Sequence, residues 1–143
     1  MTQERYRELE RFITAAFPDD PDAEYVRIEA IGAQSLKMRL LFHERFLRPG
    51  QSISGPTLMK LADMATYMVL IAHDERAKAS VTSSLSIHFL RRPAPGDLVA
   101  VSRILKSGRT LAVVQVDVFD ADEAQVVATA SVSYAVVSPR ESV

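Results

Sequence analysis

The chain has 143 residues and a formal charge of −1, enough length for one domain with a substantial core. That balance offers nothing to nucleic acid or an acidic membrane surface. Cysteine is absent, which excludes disulfides, thiolate catalysis and thiolate zinc sites, and His43, His73 and His88 follow no metal-ligand spacing.

The charged start Thr2-Gln3-Glu4-Arg5-Tyr6-Arg7-Glu8 does not read as a signal peptide. Residues 3–17 instead read as an amphipathic helix, with Tyr6, Leu9, Phe12, Ile13 and Ala16 on one side and Thr2 as a candidate cap. Pro18-Asp19-Asp20-Pro21-Asp22 breaks the chain. Val26, Ile28 and Ala30, then Leu36, Met38, Leu40 and Phe42, alternate with polar residues around a turn near Gly32, the pattern of two strands. A loop, Phe46-Leu47-Arg48-Pro49-Gly50-Gln51, leads to a helix from about Gly55 to His73, with Ser54 as N-cap and Pro56 in the first turn.

This helix is apolar on nearly every side, which implies burial. With Lys60 and Asp63 in it and a short apolar run, it does not read as a membrane span. A soluble cytoplasmic protein is expected. Thr57, Lys60, Asp63 and Thr66 or Tyr67 form one narrow polar stripe. An ionised Asp63 among such neighbours costs several kcal/mol, on the order of the penalty for an unpaired buried charge, unless it is paired or used. Lys60, one turn back, is the plain partner; a catalytic role is the other reading. Met59, Met64 and Met68 read as core.

Four period-2 segments follow: Val81/Ser83/Leu85/Ile87/Phe89, Leu98 to Leu105, Leu111 to Phe119, and Val126/Ala128/Ala130/Val132/Tyr134/Val136. The short connections Ser107-Gly108-Arg109 and Asp120-Ala121-Asp122-Glu123 make the last three antiparallel neighbours. The expectation is a single α+β domain over 1–143, about six antiparallel strands around one buried central helix, with an N-terminal helix outside.

From Phe46 to Tyr134 the chain resembles the hotdog-fold thioesterases of the phenylacetate-degradation (PaaI-like) group. The resemblance rests on the loop before the helix, Gly55 and Asp63, the strand Thr82-Ser83-Ser84-Leu85-Ser86-Ile87-His88-Phe89-Leu90-Arg91, then Pro93, Gly96-Asp97, Lys106-Ser107-Gly108-Arg109 and Ala130-Ser131-Val132-Ser133-Tyr134. The family's helix commonly opens His-Gly-Gly, with an Asn six residues before the His. Here Ser54-Gly55-Pro56 and Arg48 stand in those places, while the Gly and the acid nine residues after the His position are kept as Gly55 and Asp63.

The resemblance implies an acyl-CoA thioesterase acting on a medium-chain or aryl thioester, with Asp63 as general base or nucleophile and the Gly55 amide polarising the carbonyl. It implies no cofactor, coenzyme A being part of the substrate. A hydroxyl from Thr82 or Ser83 is implied beside the water; matching Phe89-Leu90-Arg91 selects Thr82 and matching Pro93 selects Ser83, and strand neighbours face opposite sides. Ser54 reads first as an N-cap, with substrate contact second. Arg48, Arg91, Arg92, Lys106 and Arg109 are either solvated loop cations or coenzyme A phosphate ligands.

The nine residues from Ser54 to Asp63 put the helix start about 13 Å from the acid, too far for one chain to hold both ends of a thioester. A site shared between two chains follows, hence self-association as a dimer or a dimer of dimers. Two other functions compete: a dehydratase on 3-hydroxyacyl thioesters, disfavoured because no His heads the central helix, and a non-catalytic acyl-CoA binding or sensing protein.

Overall fold

The structure, a computed structural model, describes residues 2–136; Met1 and the last seven positions of the expected 1–143 domain lie outside the described residues. Helix α1 (Thr2–Ala16) buries Tyr6, Leu9 and Ile13, whose spacings of three and four set them on one stripe. Thr2 is its first helical residue rather than the cap. Phe17 falls just outside, its N–H still donating to Ile13 O at 3.2 Å, and Pro18 stops the helix.

Strands β1 (Val26–Ile31) and β2 (Ser35–Leu40) form the expected hairpin, closed by Gly32 N–H donating to Ser35 O. The loop at 46–51 holds more structure than its sequence suggests. Two-residue strands β3 (Leu47–Arg48) and β4 (Ser52–Ile53) pair across a turn in which Gly50 takes φ of 100° and Gln51 φ of 61°. Gly50 suits that left-handed position because it carries no Cβ.

Helix α2 (Gly55–His73) starts at Ser54, whose Oγ accepts the Thr57 N–H, and ends with Asp74 N–H donating to Leu70 O. Leu58, Leu61, Ala62, Ala65, Met68 and Val69 are buried along it. It packs on β2 and on four later strands: β5 (Val81–Phe89), β6 (Leu98–Ser107), β7 (Leu111–Asp120) and β8 (Val126–Ala135). Met68 is core as expected, but Met64 is half-buried and Met59 is exposed.

The long strands make one antiparallel sheet in the order β1-β2-β6-β7-β8-β5. Consecutive hairpins set β6, β7 and β8 side by side, and the strand that leaves α2 returns to the far edge beside β8. Ala112, Val114, Val116 and Val118 of β7 and Ala128, Ala130 and Val132 of β8 face the helix. The period-2 pattern therefore records a sheet with one face on α2 and one face outward. This is the hotdog arrangement, a six-stranded sheet against a long buried helix with a second helix at the N-terminus.

One irregularity decides which hydroxyl reaches the helix. Between Thr82 and Ser84 the pairing of β5 with β8 slips by one residue: Thr82 opposes Tyr134, Ser84 opposes Ser133, and Leu85 opposes Val132. Ser83 is the extra residue of a bulge. Thr82 and Leu85, three apart, consequently share the inner face, which a regular strand would give to Ser83 and Leu85.

Candidate active site

Asp63 projects from the middle of α2 toward the end of the sheet where Thr82 and Tyr134 face inward. Its Oδ1 accepts a hydrogen bond from Thr82 Oγ1 at 2.8 Å and another from Tyr134 OH at 2.8 Å, and Tyr134 OH also lies 3.0 Å from the Asp63 backbone oxygen. Oδ2 has no partner among the described residues. The carboxylate is partly exposed rather than sealed in the core, and two charge-assisted bonds fix its orientation while one oxygen stays open.

Tyr134 was legible as part of the closing strand motif but not as an Asp63 partner. A hydroxyl-bearing residue in register with Thr82 on the inner face is the signal, and it can be read only once the bulge is known. Burial, with the neighbouring Asp63 charge adding to it and Thr82 opposing, pushes the Tyr134 phenol above the ordinary tyrosine value near 10. Tyr134 therefore remains a protonated donor through neutral and mildly alkaline pH.

Lys60 does not pair with Asp63. Its Nζ binds Asp20 Oδ1 at 2.5 Å and Asp22 Oδ2 at 2.7 Å, tying α2 to the turn after α1. Burial alone would lower its pKa, but the bonds from Asp20 and Asp22 outweigh that and raise it. Of the remaining stripe, Thr57 bonds the Ser54 hydroxyl, Thr66 is buried and bonds back to Ala62 O, and Tyr67 OH donates to Lys78 O. Asp63, Thr82, Tyr134, Met64 and Tyr67 line a cavity of about 390 Å³, within the range of small-molecule sites.

Gly55 lies at the other end of the site. The Ser54 hydroxyl takes the Thr57 N–H, Ser54 O takes the Leu58 N–H, and Pro56 has no N–H to offer. Gly55 is thus the first-turn residue whose N–H has no acceptor among the described residues, at the positive end of the helix dipole. A Cβ on Gly55 would stand 3.5 Å from the Phe89 ring at the far end of β5. Ser54 is the N-cap.

The basic residues fall into two groups. Arg48 sits on β3, and Arg91 and Arg92 follow β5; Ile53 N–H donates to Pro93 O at 3.0 Å, and the Arg92 guanidinium lies 3.5 Å from where a Gly50 Cβ would be. That group belongs to the Gly55 end. Lys106 and Arg109 sit by the β6–β7 turn, next to the row Thr82–Tyr134–Ala112–Ser107 that crosses four strands. They belong to the Asp63 end. All five are exposed, and Ser83, on its bulge, makes no side-chain hydrogen bond among the described residues.

The model of the thioesterase superfamily matches residues 50–127. A candidate thioesterase from Silicibacter sp. superposes with a TM-score of 0.81 at 35% identity, over 91% of this chain and 90% of that one. Thioesterase superfamily member 2 from Mus musculus gives a TM-score of 0.81 at 20% identity over 92% and 97% of the two chains. The PaaI protein of the E. coli phenylacetic acid degradation operon gives 0.76 at 19% over 96% of each. These last two establish likeness of fold. No curated protein sequence gives a significant match.

Proposed function

The chain belongs to the thioesterase superfamily and is a thioester hydrolase, and from that premise we propose that it hydrolyses a medium-chain or aryl acyl-CoA at sites shared between two protomers. The observation that carries the proposal is the state of Asp63, which lines the cavity with Oδ1 held by two hydroxyls and Oδ2 without a partner among the described residues. A water on Oδ2 gives its proton to the carboxylate as its oxygen bonds to the thioester carbon. The carbonyl electrons move onto oxygen, where the partner's Gly55 amide donates to the developing charge. Collapse breaks the C–S bond, and the thiolate takes up the proton, leaving free acid and coenzyme A.

In the nucleophilic variant Oδ2 itself attacks the thioester carbon and expels the coenzyme A thiolate. Water then adds to the Asp63 carboxyl carbon of the mixed anhydride, releasing the acid and giving the thiolate a proton. A single turnover in H₂¹⁸O separates the two routes, because this hydrolysis leaves label in Asp63 whereas the general-base route leaves it in the product acid.

Sharing follows from distance. Eight residues separate Gly55 from Asp63, about 12 Å along one helix. The two ends of β5 carry the same division. Phe89, against Gly55, and Thr82, against Asp63, are roughly 20 Å apart along the strand. Among the described residues β5 is an unpaired sheet edge, with Val81 and Phe89 exposed on it and Leu90 exposed just beyond it, a surface that invites pairing. Two copies of β5 joined antiparallel about a two-fold axis set the Phe89 end of each beside the Thr82 end of the other. That pairing also unites Arg91 and Arg92 of one protomer with Lys106 and Arg109 of its partner, giving coenzyme A phosphates one basic surface instead of two half-sites. Light scattering in solution distinguishes a dimer from a dimer of dimers. A cytoplasmic location belongs to the same proposal, and no helix among the described residues is long and apolar enough to cross a membrane.

The test is turnover of an acyl-CoA panel read with a thiol reagent, beside Asp63→Asn. Hydrolysis lost in the variant with acyl-CoA binding kept supports the proposal. Near wild-type turnover removes Asp63 from the mechanism, and binding without turnover in the native protein favours a sensing role.

A further inference from the structure

The cavity continues past Asp63 along α2 to the end of α1, and its far wall is built by residues that neither the hydrolytic chemistry nor coenzyme A recognition uses. An aromatic row leads there. The Tyr134 ring stacks on Tyr67 with centroids 6.3 Å apart, and Phe17 meets Tyr67 edge-on at 5.9 Å and 79°. Ile13 and Met64 complete this end.

Phe17 stands outside the core, 46% exposed, so packing alone does not hold it. The turn that follows does. Asp20 N–H donates to Phe17 O at 3.1 Å, and the Asp20 and Asp22 carboxylates grip Lys60 Nζ. Asp22 is held a second time by Arg45 at 2.7 Å. Lys60 lies one turn before Asp63 on the same helix, so the latch fixes the distance between the reacting group and the Phe17 wall.

Tyr67 OH turns away to donate to Lys78 O at 2.9 Å, so its ring, with Phe17, Ile13 and Met64, offers the tail of an acyl group apolar contact.

We propose that Phe17, held over the cavity by the bridge from Lys60 to Asp20 and Asp22, is the end wall that sets acyl length, with Lys60 as its positioning residue. This rests on the acyl-CoA reading of the same cavity.

The test compares kcat/KM for hexanoyl- and dodecanoyl-CoA. The native protein should favour hexanoyl over dodecanoyl by about tenfold or more, the scale on which an apolar pocket discriminates. Phe17→Ala should raise the dodecanoyl-to-hexanoyl ratio by about tenfold, and Phe17→Trp should lower it. Lys60→Met should move the ratio in the same direction as Phe17→Ala, and Lys60→Arg should restore it. An unchanged ratio in Phe17→Ala, or equal loss on both thioesters in Lys60→Met, would overturn the inference while leaving the hydrolase reading intact. If the native protein turns over neither of them, the acyl-CoA hydrolase reading fails by itself. Calorimetric affinities for the same two thioesters then judge the wall, and the same ratio change in Phe17→Ala is required.

Discussion

Tyr134→Phe removes one oxygen atom from the site and leaves everything else in place. The ring keeps its stacking on Tyr67 and its place against α2, so no cavity opens. What goes is the 2.8 Å bond to Asp63 Oδ1, with the 3.0 Å contact to the Asp63 backbone oxygen that shares the same proton. A hydrogen bond to a charged group contributes roughly 1.5–3 kcal/mol. If that energy orients Oδ2 toward the water in the transition state, kcat falls by a factor on the order of ten to a hundred, with KM for acyl-CoA little changed. Thr82→Val, isosteric and lacking only the hydroxyl donor, should fall in the same range. The double variant should lose more than either single change, though not the product of the two, because both bonds end on one oxygen. Ser83→Ala should be silent, since the bulge leaves its hydroxyl unused. The assay is steady-state thioester hydrolysis with melting curves beside it. If Tyr134→Phe keeps kcat within about twofold at unchanged stability, the carboxylate does not depend on being held, and the account of Asp63 fails.

Changing Arg91 and Arg92 to Ala should raise KM for acyl-CoA several-fold, on the order of a lost phosphate contact, with little change in kcat. The effect should shrink for a pantetheine thioester, which has no nucleotide phosphate; equal damage to both substrates would reject phosphate recognition. Burial alone would raise the pKa of Asp22, but the bonds from Lys60 and Arg45 outweigh it and hold the carboxyl below its ordinary value near 3.8. Because the folded value is the lower one, this bridge stabilises fully above the ordinary range and is lost as pH falls through the folded value. Melting temperatures between pH 6 and pH 2.5 should therefore drop more steeply for the native protein than for Asp22→Asn, and parallel curves would deny the bridge that role.

The periodicities carried the fold. Every long strand and both helices lie where alternation or the helical stripe put them, because each buries one face on one core. Two features were beyond such patterns. A bulge costs no change in composition, so Val81/Ser83/Leu85 looked like a regular inner face until the slip after Thr82 reversed it. Lys60 looked like a partner for Asp63 because local spacing weighs near neighbours. Its true partners, Asp20 and Asp22, lie some forty residues away in a Pro-Asp turn and meet it only when α1 folds onto α2. Phe17 was unreadable for the same reason: its function depends on where that turn is pinned. The loop before α2 hid its two-residue ribbon because strands this short leave no alternation to detect.

The central claim is that each site takes Asp63 from one protomer and the Gly55 amide from the other, and mixing two inactive variants tests it most directly. Asp63→Asn removes the acid. Gly55→Pro removes the amide hydrogen at a first-turn position that accepts proline, after a Ser54 whose φ of −73° and ψ of 152° already suit a following proline. Each variant alone should be inactive. Unfolded together and refolded at equal concentration, half the dimers should be mixed, each with one intact site, restoring about a quarter of native activity. A mixture as inactive as its components would mean that Asp63 and Gly55 must lie in one chain, and would contradict the shared site.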